Sequence, residues 1–327
     1  MTTNPLTEKE LDDIYAFAIQ LGKDAGKLLL EAAQLRFAGP QTTTLDVEEK
    51  ESSVDIVTKT DQEVETFIKT SIEAKYPHHN FIGEETTPLS PCLSPTPTPT
   101  WCIDPLDGTV NYTHLFPIFC VSISLLVSGR PIIGVINAPL LNQLFTSCLG
   151  RGAYLNETTP LPLIRNPTIP PMPENAPQGC IFACEWGKDR RDVPDGNLYR
   201  KVESFVNMAK ESGGMVQGVR SLGSAAMGLA YTAMGGVDVW WEGGCWEWDV
   251  AAGIAILQEA GGLVTTANPP EDPDTAEIEE VGLGSRLYLA IRPAGPSKTE
   301  SGREGQERTV REVWRRVREL DYSRPRV

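Results

Sequence analysis

Asp104 and Asp107 stand three positions apart in the stretch WCIDPLDGT, residues 101–109 of a 327-residue chain. Two unpaired carboxylates repel, and a buried pair is costly unless a cation lies between them. Pro105 bars a ladder hydrogen bond and fixes the chain direction, so the two acids are expected to flank a tight corner rather than a helix face. Gly108 then permits close backbone approach at the N-terminus of whatever follows. Such a corner suits a hard divalent cation, because magnesium takes carboxylate, carbonyl and water oxygens in an octahedral shell. The Leu106 carbonyl, between the two aspartates, is a natural further ligand. The amides of Gly108 and Thr109 at a helix start would hold a phosphate oxygen. Two metal ions about 4 Å apart can clamp the attacking water and the leaving oxygen of a displacement.

Two more acidic clusters occupy strand ends or helix starts: Gly83-Glu84-Glu85, and Trp248-Asp249 opening a long helix. Competing motifs fail on spacing. The haloacid-dehalogenase phosphatases use Asp-x-Asp-Gly-Thr, one residue shorter than the interval here. A calcium-binding EF-hand loop wants an oxygen-bearing side chain where Leu106 stands. Neither a Walker A sequence nor a Gly-x-Gly-x-x-Gly fingerprint after the first strand is present.

The elements that must position these acids follow from pattern. Thr7 and Glu10 make a capping box, and Leu11, Ile14, Ala18, Leu21, Ala25, Leu28 and Ala32 recur at helical spacing behind it. Gly22 and Gly26 would let another element approach that helix. A short strand at 55–58, a helix from about Asp61 to Pro77 and a strand at 81–82 come next. The proline-rich stretch 86–100 reads as a surface loop of polyproline character. Strands near 101–103, 118–127, 132–136 and 144–149 form an antiparallel or mixed meander. Beyond 160–178, strands near 181–184, 237–241, 262–265 and 287–291 alternate with helices near 198–211, 224–234 and 249–260. Residues 296–308 read as disordered, and Val310, Val313, Trp314, Val317 and Leu320 as a late amphipathic helix. The organisation expected is an N-terminal α+β subdomain (1–165) with most of the acids. A C-terminal α/β subdomain (166–295) with Asp249 and a charged tail (296–327) complete it.

The net charge of −15 argues against nucleic acid or an anionic membrane as partner. Apolar runs are too short to span a bilayer, and the polar, acidic N-terminus resembles no targeting segment. Seven scattered cysteines read as reduced thiols in a cytoplasmic protein, and three histidines are too few for a histidine-built metal site.

GEE at 83–85, DPLDGTVNY at 104–112, WDVAAG at 248–253 and EAGG at 259–262 together resemble the signature set of the inositol monophosphatase family, in order and separation. The resemblance covers about residues 10–293. It implies a layered α-β-α-β-α sandwich, usually a homodimer, with two or three magnesium ions per site and inhibition by lithium. It makes Glu84, Asp104, the Leu106 carbonyl, Asp107 and Asp249 metal ligands. Thr109 would orient the nucleophilic water, Glu84 would help take its proton, and Asp61 would support the threonine. Glu242, Ser224 and Ala225, with Gly108, Thr109 and Asp249, are the implied substrate contacts. From the residues alone, Asp61 and Ser224 are equally good helix caps. The implied activity is hydrolysis of inositol monophosphate or a similar polyol phosphate. Relatives within the fold act on phosphoadenosine phosphate, fructose bisphosphate or histidinol phosphate. The insertions resemble fungal members tied to quinate metabolism, where a regulatory role is the rival reading.

Overall fold

Thr7 and Glu10 open the first helix, α1 (Glu8–Ala38). The Thr7 N–H donates to Glu10 Oε2 at 2.8 Å and the Glu10 N–H donates to Thr7 Oγ1 at 3.2 Å, the reciprocal capping box that the sequence predicts. Its buried stripe ends on Leu29 and Ala33, not on Leu28, which is 38% exposed, or Ala32. Four-residue steps from Ala25 to Leu29 and Ala33 keep the stripe on one face, where a further three-residue step, to Leu28, would drift off it. The computed structural model describes residues 6–38, 47–52, 55–87, 96–165 and 167–323. Residues 88–95 of the proline-rich stretch, Cys92 among them, lie outside the described residues.

A hairpin, β1 (Val47–Ser52) and β2 (Asp55–Thr58), leads into α2 (Lys59–Lys75). Then come β3 (Asn80–Gly83), β4 (Thr100–Asp107), the single turn α3 (Thr109–Thr113), β5 (Cys120–Val127), β6 (Arg130–Ala138), β7 (Gln143–Cys148), β8 (Gly152–Leu155) and β9 (Thr159–Pro160). Strands β3 to β9 form one seven-stranded sheet in chain order. The β3–β4 pair is parallel and the pairs from β4 to β8 are antiparallel, which is the mixed meander expected. β5 is buried along its whole length, so both faces of the sheet are covered there. α1 and α2 pack on one face; a Cβ on Gly22 would come within 2.7 Å of Val135 Cγ1, so the helix lies close against the β6 side chains.

The chain continues through β10 (Ile181–Ala183), α4 (Asn197–Ala209), β11 (Gly218–Arg220), α5 (Ala225–Met234), β12 (Val239–Gly243), α6 (Glu247–Glu259), β13 (Leu263–Thr265), β14 (Leu287–Ile291) and α7 (Gly302–Trp314). Contacts divide the chain into two units. The first is 1–159 together with 223–227 and 247–256; the second is 160–222, 228–246 and 257–327. Residues 247–256 of α6 cover the other face of the first unit's sheet. Gly134, whose neighbour Val135 faces α1, lies against Ala252 and Ala255, and alternate residues of a strand point to opposite faces. The second unit has its own sheet, ordered β11-β10-β12-β14-β13, parallel at β10 and antiparallel at β14.

Residues 302–308, read from sequence as disordered, are the first half of α7. A Ser301–Glu304 capping box starts the helix, and Gly305, Gln306 and Thr309 are buried along it. Val310, Val313, Trp314, Val317 and Leu320 then join the core of the second unit, as their spacing predicts. Trp314 Nε1 donates to the Thr266 carbonyl at 3.0 Å. The C-terminal segment is therefore core and not appendage. Trp314→Ala is expected to cost about 3–5 kcal/mol, read as a lowered midpoint in urea unfolding. A midpoint at the wild-type value would show that α7 docks without stabilising.

Candidate active site

β4 carries the central acids, and its register decides where they point. Asp104 pairs with Ser122 and Asp107 with Cys120, so three steps along β4 match two along β5. Residues three apart on a regular strand face opposite ways; one extra residue in a β-bulge cancels that difference. Ser122 and Cys120 share a face, and so do Asp104 and Asp107. The corner expected at Pro105 is thus a bulge inside a continuous strand. Proline's missing N–H is tolerated there because a bulge leaves a residue unpaired. The shared face is the one that α6 covers, since Ser122 Oγ donates to the Trp248 carbonyl at 3.2 Å.

Glu84 follows β3, and Asp249 lies in the first turn of α6, where the helix dipole favours an acid. The structure brings Glu84, Asp104 and Asp249 together, one oxygen from each lying within 4.8 Å of the others. Asp104 is 1% exposed, and its Oδ1 accepts the Leu106 N–H at 2.9 Å. Burial, then the charges of Glu84, Asp107 and Asp249, pushes its carboxyl well above the ordinary range.

Asp107 stands outside that trio. Its Oδ2 accepts Ser224 Oγ at 2.5 Å and the Ala226 N–H at 2.8 Å, while the Ala225 N–H adds a further hydrogen bond. It therefore holds the N-terminus of α5, and burial lifts it to about 6 despite those donors. Ser224 is also a helix cap, one of the two readings the sequence leaves open, because its Oγ accepts the Met227 N–H at 3.2 Å.

Asp61 likewise does two things. It forms a capping box with Thr58, whose N–H donates to Asp61 Oδ2 at 2.9 Å. Its Oδ1 lies 3.3 Å from Thr109 Oγ1, and that hydroxyl also has the Leu106 carbonyl at 3.1 Å. Burial pushes Asp61 up to about 6, against the hydrogen bonds from Thr58. Gly108, at φ 88°, turns the chain from β4 into α3; a Cβ there would strike the Ile118 carbonyl at 2.8 Å.

Glu242 belongs to the second unit, on β12. Its carboxylate accepts the Lys201 ammonium, the Glu185 N–H at 2.8 Å and its own Gly243 N–H at 3.0 Å. A carboxylate has about four acceptor sites, so one remains. The Lys201 and Glu242 side chains are 3% and 5% exposed. Burial alone would lower the Lys201 ammonium; the Glu242 charge and hydrogen bond outweigh it and hold the pKa above the usual value. Lys201 escapes a reading by motif, because its partner lies 41 residues away.

Residues 10–318 match the model of the inositol monophosphatase family. The chain belongs to that family. It is 67% identical to the quinic acid degradation cluster protein x of Neurospora crassa, over 99% of each chain. It is 66% identical to protein qutG of Emericella nidulans, over 98% of each. Among solved structures it is similar to the inositol monophosphatase of Anabaena (Nostoc) sp. PCC 7120, with TM-score 0.68 and 29% identity over 94% of this chain and 97% of that one. Two mixed sheets with their helices are thus the inositol monophosphatase fold.

The donor set fits a hard divalent cation. All three clustered donors are carboxylate oxygens, and the central one, Asp104, is buried between two partly exposed ones. Elsewhere, the six described cysteines are buried thiols, and no described helix is long and apolar enough to cross a membrane.

Two predictions follow from these charges. Asp61 and Asp107 bind protons more tightly folded than unfolded. Each contributes stability that is present below its unfolded pKa of about 4 and lost as pH rises through about 6. Chelator-treated protein should therefore melt at a lower temperature at pH 7.5 than at pH 5, and added magnesium should raise the melting temperature more at pH 7.5. The opposite order would mean that these acids are not desolvated. In the second unit, Lys201→Met should cost about 3–5 kcal/mol by stranding a buried carboxylate, and adding Glu242→Gln should recover most of it. Urea unfolding of the two variants measures both.

Proposed function

We propose that this chain is a magnesium-dependent phosphomonoester hydrolase acting on inositol monophosphate or a similar small polyol phosphate. The observation that carries the reading is the trio of Glu84, Asp104 and Asp249 oxygens within 4.8 Å of one another, on the sheet whose β4 also leads to Thr109. Those three acids, with Asp107 and the Leu106 carbonyl, are the proposed ligands. Magnesium held there would offset their charge, polarise a phosphate oxygen and lower the pKa of a water.

The protein's own part is proton handling and orientation. Thr109 Oγ1 has two acceptors for its single proton, Asp61 Oδ1 and the Leu106 carbonyl, so its lone pairs face outward as acceptors. The hydroxyl takes a proton from the attacking water while passing its own to Asp61, whose pKa of about 6 suits a base working near neutrality. Glu84 is assigned a share in that transfer. The Gly108 and Thr109 N–H groups are assigned to phosphate oxygens. Neither a cysteine nor a histidine nucleophile is called for, and the described cysteines are buried.

The Anabaena likeness supports an inositol monophosphate. The Neurospora crassa relative, named for quinic acid degradation, supports a second reading, a role in quinate metabolism, of which a regulatory role is the form without turnover.

Phosphate release from inositol phosphates, sugar phosphates and phosphoadenosine phosphate, with and without magnesium and lithium, tests both. Magnesium-dependent, lithium-blocked release from inositol monophosphate is expected. Asp107→Asn should abolish it, and Thr109→Ala should lower kcat by about 10²–10⁴-fold. Silence across the panel with magnesium still bound would favour the regulatory reading.

A further inference from the structure

Glu65 takes no part in the chemistry above, yet it is a fully buried carboxylate, 0% exposed, one helical turn beyond Asp61 on α2. Its surroundings are the chain that carries Glu84. Glu65 Oε2 accepts the Glu85 N–H at 2.8 Å, and the Thr86 main chain and side chain add further hydrogen bonds. A Cβ at position 83 would lie 2.6–2.7 Å from the three carboxylate atoms of Glu65, so only glycine fits beneath it.

A buried carboxylate is costly unless donors replace its water. Here the donors come from the turn that follows β3, and they reach the carboxylate only while the turn keeps this shape. Before the turn, β3 is paired to β4 as far as Gly83 opposite Ile103, and the Glu84 N–H donates to the Ile103 carbonyl at 3.3 Å. Glu84 is thus gripped on its N-terminal side by the sheet and on its C-terminal side by Glu65. The next residue of β4 after Ile103 is Asp104, so the two acids are held at a fixed offset across one strand pair.

We propose that Glu65 is a positioning residue: its buried carboxylate is the template on which residues 83–86 fold, and it thereby sets where Glu84 presents its oxygen to a divalent cation. The proposal rests on the reading of Glu84 as a metal ligand.

Manganese binding to the full-length protein, followed by electron paramagnetic resonance, tests it without turnover. Glu65→Ala should weaken manganese binding by about 10–100-fold while far-UV circular dichroism is unchanged. Glu65→Gln keeps the shape and one oxygen acceptor and should restore binding to within about threefold of wild type. Gly83→Ala attacks the same contact from the other side and should reproduce the loss with Glu65 intact; it replaces Glu65→Ala should that variant fail to fold. Glu84→Gln is the control. Should it leave manganese binding unchanged, the ligand reading fails and this proposal falls with it. Should it weaken binding while folded Glu65→Ala or Gly83→Ala protein binds as wild type does, Glu65 is merely structural and the proposal alone is overturned.

Discussion

Like charges gathered around one buried carboxylate are the condition that the first unit is built to meet. Glu84, Asp104 and Asp249 come from three separate stretches of chain, and each repels the others. Left to itself such a set would spread apart or take up protons, and Asp61, Asp104 and Asp107 are all displaced in that direction by burial. The cluster persists because each acid is tied to backbone that cannot move independently. Asp104 is fixed by a bulge between two paired strands, Asp249 by a helix start, and Glu84 by the end of a parallel strand pair.

Around Asp61, Glu65, Asp104 and Asp107 the structure supplies hydrogen-bond donors. Main-chain N–H groups serve Asp104, Asp107 and Glu65, and hydroxyls from Ser224, Thr58 and Thr109 serve Asp107 and Asp61. Among the described residues no lysine or arginine is ion-paired with Asp61, Glu65, Asp104 or Asp107, whereas in the second unit Lys201 neutralises Glu242. The contrast is physical. A fixed ammonium would cancel the local field that attracts a divalent cation, while amides stabilise a carboxylate and leave its net charge in place.

Much of this was legible in the sequence because it is local. The acids of residues 83–85, 104–109 and 248–249 announce themselves by type and by position at strand ends, and the sheet strands by alternation between turns. The bulge was half legible: Pro105 signals that the ladder breaks, but only pairing with β5 shows that the break puts two carboxylates on one face. Glu65 had a signal in DQEVE, four residues after Asp61 on the same helix face, though nothing local says which loop it serves. The start of α7 was misread because its buried face is made of Gly305, Gln306 and Thr309. Gln306 is held by bonds to the Gly261 and Arg292 carbonyls, a long-range satisfaction that carries no hydrophobic period.

The first unit is discontinuous: residues 223–227 and 247–256 complete a body whose sheet is finished by 160. On the ribosome, where a chain emerges at about 5–20 residues per second, the sheet is exposed well before the helix that covers its second face. Until those residues are made, Asp104 has neither Asp249 beside it nor α6 above it. The nascent chain therefore carries an unfinished sheet whose bare face holds both apolar strand residues and acids. Those acids are then natural gatekeepers, keeping the waiting surface soluble until the chain that closes it has been made.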